Sequence, residues 1–301
     1  MICKCAVLGI GMVMFPGIAP VQTWPPPGMA TAESTPVLRH NPIFGLGPQT
    51  IWKGGIGIGV EGELTRAAGS LVTRERAFHA EFLYGVTQDL TLTLALPLAQ
   101  QRTERGLVPG VGQVDRDATG VGDAIVRAKW RVFHRFSGST QYHAALVGGV
   151  KLPLGSTSSN PPLGSGSTDF LAGATVSRDG LRYYLWTSAL VRANGEAFGI
   201  KRGNEYRYDA AIGFRPWVPR YTGVDPLLLI EFNGVTAART VIDAQEQART
   251  GGTVLAVSPG FWLTLRNWAL QGAIKLPVYQ NLRGDQPAFD YTVVLKIETH
   301  M

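Results

Sequence analysis

Cysteine is nearly absent from this chain: Cys3 and Cys5 are its two, and both lie in the first few residues. A protein without further cysteine uses neither disulfides nor thiolate metal sites. Charge is also sparse, at 17% of residues, and no Lys/Arg run tracks a nucleic acid backbone. The net charge of +6 is scattered, so no nucleic acid partner is expected. Beyond the N-terminus there is no apolar run of about eighteen residues, which excludes transmembrane helices.

The start of the chain reads as an export signal. Lys4 supplies a positive beginning, Cys5 to Ile18 an apolar run broken by Pro16, and Ala30-Thr31-Ala32 a small-x-small cleavage site. Residues 1–32 are therefore assigned to a signal peptide, 33–49 to a periplasmic N-terminal segment and 50–301 to the folded domain. Removing the signal takes away both cysteines.

What the sequence has in quantity is glycine, 37 residues, and 7 Trp, 9 Tyr and 12 Phe. Apolar and polar residues alternate with period two, the mark of strands with one greasy and one wet face. Twelve strands are expected, at 50–64, 76–86, 90–104, 120–136, 140–155, 166–178, 181–194, 205–217, 226–238, 252–264, 268–280 and 289–300. Charge follows parity within them. Ala124, Val126, Ala128, Trp130 and Val132 oppose Asp123, Arg127, Lys129, Arg131 and Arg135. Tyr206, Tyr208, Ala210, Ile212 and Phe214 oppose Glu205, Arg207, Asp209 and Arg215. His134, Arg76 and Arg178 break the pattern.

A soluble sandwich would alternate as well. Two features point instead to a membrane. Links after even strands are short, such as Ser137-Gly138-Ser139 and Asp179-Gly180, whereas links after odd strands are long and polar. An even strand count with loops sorted this way is outer-membrane barrel architecture. In addition, Trp52, Tyr84, Trp130, Tyr142, Tyr206, Trp268 and Tyr291 fall on the apolar parity near strand ends, where interfacial girdles sit. The expected fold is all-β: a transmembrane, antiparallel, up-and-down β-barrel of about 12 strands in the cell outer membrane. Leu96-Pro97-Leu98, Lys151-Leu152-Pro153 and Lys275-Leu276-Pro277 recur on outward-running strands and are read as bulges where strands leave the bilayer.

Several stretches, in this order, resemble the outer-membrane transporter family of the MetA pathway of phenol degradation. They are Gly47-Pro48-Gln49-Thr50, Tyr84 to Pro97 (YGVTQDLTLTLALP), Gly120 to Phe133, Gly149 to Asp169 (GVKLPLGS…LGSGSTD), Leu228 to Gly234 (LLIEFNG), Val257 to Gly260 and Lys275 to Tyr279. The resemblance implies a barrel that moves small, aromatic compounds across the outer membrane. It carries no catalytic residues.

Other motifs weigh less. Gly57-Ile58-Gly59-Val60-Glu61-Gly62 fits G-x-G-x-x-G, but no helix follows to hold a pyrophosphate, so the glycines are taken as close-packed strand positions. Asp115, Asp117 and Asp123 lack the bidentate Glu of a calcium loop. His79 and Glu81 share an inward face, with His143 inward elsewhere. They are read as structural polar residues, and no catalytic, cofactor or metal site is expected.

The inward faces carry the functional signal. Arg127, Lys129, Arg131, Arg135 and Lys151 form a basic ladder; Glu61, Glu63, Glu81, Asp123 and Asp209 are lumen acids; Phe133, Tyr184, Trp186 and Tyr279 are lumen aromatics. The ladder either attracts anionic solutes or pairs with acids across the lumen. Twelve strands enclose a narrow pore. The expected function is passive passage of small molecules, aromatic or anionic, through a mixed-charge lumen bathed outside by outer-membrane lipid. A non-conducting scaffold or export partner is the alternative, and a lipid-modifying barrel enzyme a third reading.

Overall fold

The computed structural model describes residues 41–69, 71–108, 112–218, 223–284 and 286–301. The signal-peptide reading of 1–32 lies outside the described residues. In chain order the strands are β1 (Ile56–Ala68), β2 (Leu71–Gly85), β3 (Leu90–Val108), β4 (Gly112–Gly120), β5 (Ala124–Ser137), β6 (Thr140–Leu152), β7 (Asp169–Asp179), β8 (Tyr183–Ala193), β9 (Glu196–Ala197), β10 (Ile200–Lys201), β11 (Glu205–Phe214), β12 (Asp225–Ala237), β13 (Val241–Ile242), β14 (Gln245–Glu246), β15 (Gly252–Leu265), β16 (Trp268–Leu282) and β17 (Ala288–His300). No helix occurs among the described residues.

Neighbouring strands pair antiparallel in sequence order, and β17 pairs with β1, which closes a barrel of twelve strands. Closure leaves no edge, as a strand structure in lipid requires. β4 is additional: it folds back on the outer part of β3, from Gln100 to Val108, as a hairpin above the barrel. The stretch expected as a loop at 105–119 is thus largely strand, pinned by an Arg105–Asp115 pair at 3.0 Å. The four short strands β9, β10, β13 and β14 form a small sheet of their own in the long loops.

The alternation read in the sequence is the alternation of faces. On β12, Leu228, Ile230 and Phe232 are about half exposed, while Leu227, Leu229 and Glu231 between them are at most 3% exposed. Tyr84, Trp130, Tyr183, Trp217 and Trp268 stand exposed at the short-turn end. In such barrels that end is periplasmic. The prolines mark bulges: Leu98 and Val278 have no cross-strand partner, beside Pro97 and Pro277, and Pro153 lies just past β6.

An occluded lumen as the candidate functional site

Residues 41–51 run through the barrel interior. All are buried, and none carries a charge, so no ion has to be stripped of water to place them there. Their backbone groups still need partners, and inward side chains supply them. Glu231 on β12 accepts the N–H groups of Ile43, Phe44 and Gly45. Ser188 on β8 accepts from Leu46 at 3.2 Å, and Thr175 on β7 donates to the Leu46 carbonyl at 2.6 Å. Lys129 on β5 donates to the Gly47 carbonyl at 3.0 Å, and Gln49 donates to Asp179 at 2.6 Å. Ile51 reaches Thr91 on β3. The segment thus crosses from the β12 wall to the β3 wall and forms a floor over the periplasmic half.

This corrects the periplasmic placement expected for 33–49, as far as 41–49 are concerned. It also moves the barrel's start from 50 to Ile56. The chain turns at Trp52–Gly55 beneath β2, where a Cβ on Gly85 would meet the Trp52 carbonyl oxygen at 1.9 Å. Only glycine fits that crossing.

Ile43 and Phe44 pack with Tyr184, Trp186, Leu227, Leu229 and Trp262 in one apolar cluster. Each such large side chain contributes roughly 1.5–3 kcal/mol on burial. Tyr184 and Trp186 therefore face inward, beneath the segment. Their rings stack at 5.4 Å. Trp262, fully buried beside them, was missed by the sequence reading. Its signal was its parity on β15, shared with Ser258 and Thr264.

The basic ladder is engaged. Arg127 meets Glu81 at 3.4 Å, Arg131 meets Asp89 at 2.9 Å through Nε, and Lys151 lies 3.1 Å from Asp123 and 2.8 Å from Asp169. Arg135 does not belong to it. A bulge between Arg131 and Phe133 shifts the register, which turns Phe133 and Arg135 outward and His134 inward, stacked on His143 at 5.1 Å. The parity exception at His134 is that bulge. Tyr279 is likewise corrected: the bulge at Val278 leaves it half exposed on the outer face. An extra residue inverts every side chain beyond it.

The acids all face inward. Glu81 also takes Lys296 at 2.7 Å, and Asp209 accepts from Asn233 at 2.7 Å and Ser188 at 3.1 Å. Asp123 shapes the outer mouth. Its carboxylate accepts the N–H of Gly155 and both the N–H and Oγ of Ser165, all near 2.9–3.0 Å, which draws residues 155–165 inward. Leu163 on that loop is 6% exposed. Behind it Asp169 joins Lys151 and Arg192, and Arg192 reaches Glu205.

Beneath the drawn-in loop lies a pocket with about 700 Å³ of empty space, mouth included. Glu63, Glu75, His79, Pro97, Arg102 and Arg192 line it among others. Glu61, Glu63 and His79 bring one ligand atom each to within 4.8 Å of one another, and Glu63 and His79 line the pocket. His143 instead sits 3.7 Å from Asp179, away from His79.

One solved structure shares the barrel fold clearly. The outer membrane channel of the COG4313 group from Pseudomonas putida F1 is similar over 84% of this chain and 98% of its own, with a TM-score of 0.65 and 15% sequence identity. The NanC porin covers 80% of this chain and 98% of its own at 8% identity and a TM-score of 0.47. LpxR from Salmonella typhimurium covers 81% and 99% at 11% identity and 0.43. No curated protein sequence matches. The closed barrel with its apolar outer face places the protein in the outer membrane. The model of the family described as "Putative MetA-pathway of phenol degradation" matches residues 44–282, so the chain belongs to that family.

Proposed function

We propose that this protein is a channel for small molecules, aromatic ones in particular, whose lumen is held closed by residues 41–51 and conducts passively once that segment shifts. The carrying observation is the grip of Glu231 on three consecutive backbone N–H groups of the segment. A floor held by one carboxylate and an apolar cluster is a discrete element that can release as a unit. Its departure would bare Tyr184, Trp186 and Trp262, a surface suited to aromatic rings. The ladder of Arg127, Lys129, Arg131 and Lys151 is matched by acids and carbonyls, so it acts as strutting more than as an anion lure. The family's association with phenol degradation supports an aromatic cargo, and the similar barrel from Pseudomonas putida F1 is itself a channel.

The segment can be locked. A Cβ built on Gly45 lies 3.1 Å from the Asp209 Cβ, close to the roughly 3.5–4.5 Å of a disulfide. In a Gly45→Cys/Asp209→Cys protein lacking its signal, the oxidised form should show little single-channel current in planar bilayers and the reduced form should recover it. Equal currents in both states would refute the gate. Absence of current in both, and in the native protein, would favour the scaffold reading.

A further inference from the structure

Glu61 and Glu63 stand two apart on β1 and share its inward face, and Glu61 lies directly opposite His79 on β2. His79 Nε2 is 3.7 Å from a Glu63 oxygen, beyond hydrogen-bond reach. Two atoms of this trio, Glu61 Oε1 and His79 Nε2, are buried and have no hydrogen-bond partner. Glu61 is 4% exposed and His79 9%. Buried polar atoms are rarely left so, and an unplaced ion is one recognised cause.

The surrounding cations are shared among several acids. Lys296 faces Glu61 from β17, and its Nζ also bonds Glu81 at 2.7 Å and Glu298 at 2.8 Å. Arg102 on β3 is bound to Glu104, and Arg127 on β5 to Glu81. Glu75, the remaining acid of this wall, takes the amide of Gln100. Two carboxylates and an imidazole therefore converge on one stretch of wall.

We propose that Glu61, Glu63 and His79 form a binding site for a divalent transition ion of the zinc class. One imidazole and two carboxylates are a donor set for zinc-like ions, with three protein ligands and a fourth position open. Calcium would want about six to eight oxygens, which this wall does not offer. Metal–ligand bonds of roughly 2.0–2.2 Å put tetrahedral ligand atoms about 3.4 Å apart. The observed 4.8 Å limit leaves the carboxylates only a small rotation to make. Because Glu63 and His79 line the outer pocket, the open position faces the lumen, where water or an oxygen of a passing solute would complete the shell. The site stands whether or not the floor opens.

The test uses folded, full-length barrel in detergent, stripped with EDTA and titrated with Zn²⁺ by calorimetry and with Co²⁺ by visible absorption. One ion per chain is expected, with a cobalt ligand-field band. His79→Gln and Glu61→Gln should each weaken binding by about 100-fold or more while keeping the gel mobility of a folded barrel. If either variant fails to fold, Glu63→Gln takes its place. No saturable uptake by the native protein would overturn the proposal. So would binding that these variants leave unchanged, since the ion would then sit elsewhere.

Discussion

The Glu231 carboxylate, with no exposure to solvent, accepts the backbone N–H of Phe44 at 3.0 Å. That bond ties an inward acid of the barrel wall to a segment that precedes the barrel by a dozen residues. Charge-assisted bonds of this kind contribute roughly 1.5–3 kcal/mol each. Glu231→Ala should shift the balance between closed and open floor by about 3 kcal/mol, roughly 100-fold in the open population. Single-channel recording would show it as a rise in open time. A variant as quiet as the native protein would mean that the apolar cluster alone holds the floor.

Asp123 governs the other end of the lumen. Asp123→Ala removes the acceptor for Gly155 and Ser165 and leaves Lys151 with Asp169 as its remaining acid. The loop at 155–165 should detach from the lumen, and limited proteolysis should cut it faster by about tenfold, from the loss of roughly 1.4 kcal/mol of local stability. Native cleavage kinetics would show that the loop is held by its own turns.

Asp169 is enclosed by two cations, Lys151 and Arg192, and also accepts Ser167 Oγ at 2.8 Å. Removing one member of a buried ionic group strands the others, at about 3–5 kcal/mol. Asp169→Ala should therefore lower the urea midpoint of unfolding followed by gel mobility. Adding Arg192→Met should recover part of the loss, because Arg192 loses both of its bonds to Asp169 whereas Lys151 keeps Asp123. A double variant no better than the single would refute this account of the network.

The outer face should obey depth. Ile230 lies midway along β12 and is half exposed toward lipid, so Ile230→Arg should cost about 2–4 kcal/mol in bilayer-folding equilibria. Tyr206, on the same face near the outer end of β11, should tolerate arginine for roughly 0–1 kcal/mol. Equal penalties at the two sites would contradict the position assigned to the bilayer.

Most of the barrel was legible because period-two alternation is a local property. Which of two faces a residue occupies follows from its neighbours two positions away, and lipid admits no error on one face. The strands and the inward acids Glu61, Glu63, Glu81, Asp123 and Asp209 follow from that rule, and the sorting of loop lengths from the spacing between strands. The same rule misplaced Phe133, Arg135 and Tyr279, since one unpaired residue inverts parity and a bulge has no composition that separates it from a strand. His134 held the clue, as the one residue of its strand on the wrong side. Trp262 was passed over because an inward tryptophan needs a partner to be meaningful, and its partners lie on other strands and in the N-terminal segment.

By itself, then, the order of residues determined a closed sheet with a greasy exterior and an ionic interior, because both follow from spacing along the chain and the cost of charge in hydrocarbon. Whether that interior is open was decided only in three dimensions. Residues 41–51 have no period and no charge, and nothing in them states where they go. Their place in the lumen depends on Glu231, Ser188, Thr175 and Thr91, far apart in sequence, converging to meet backbone groups that water would otherwise have served.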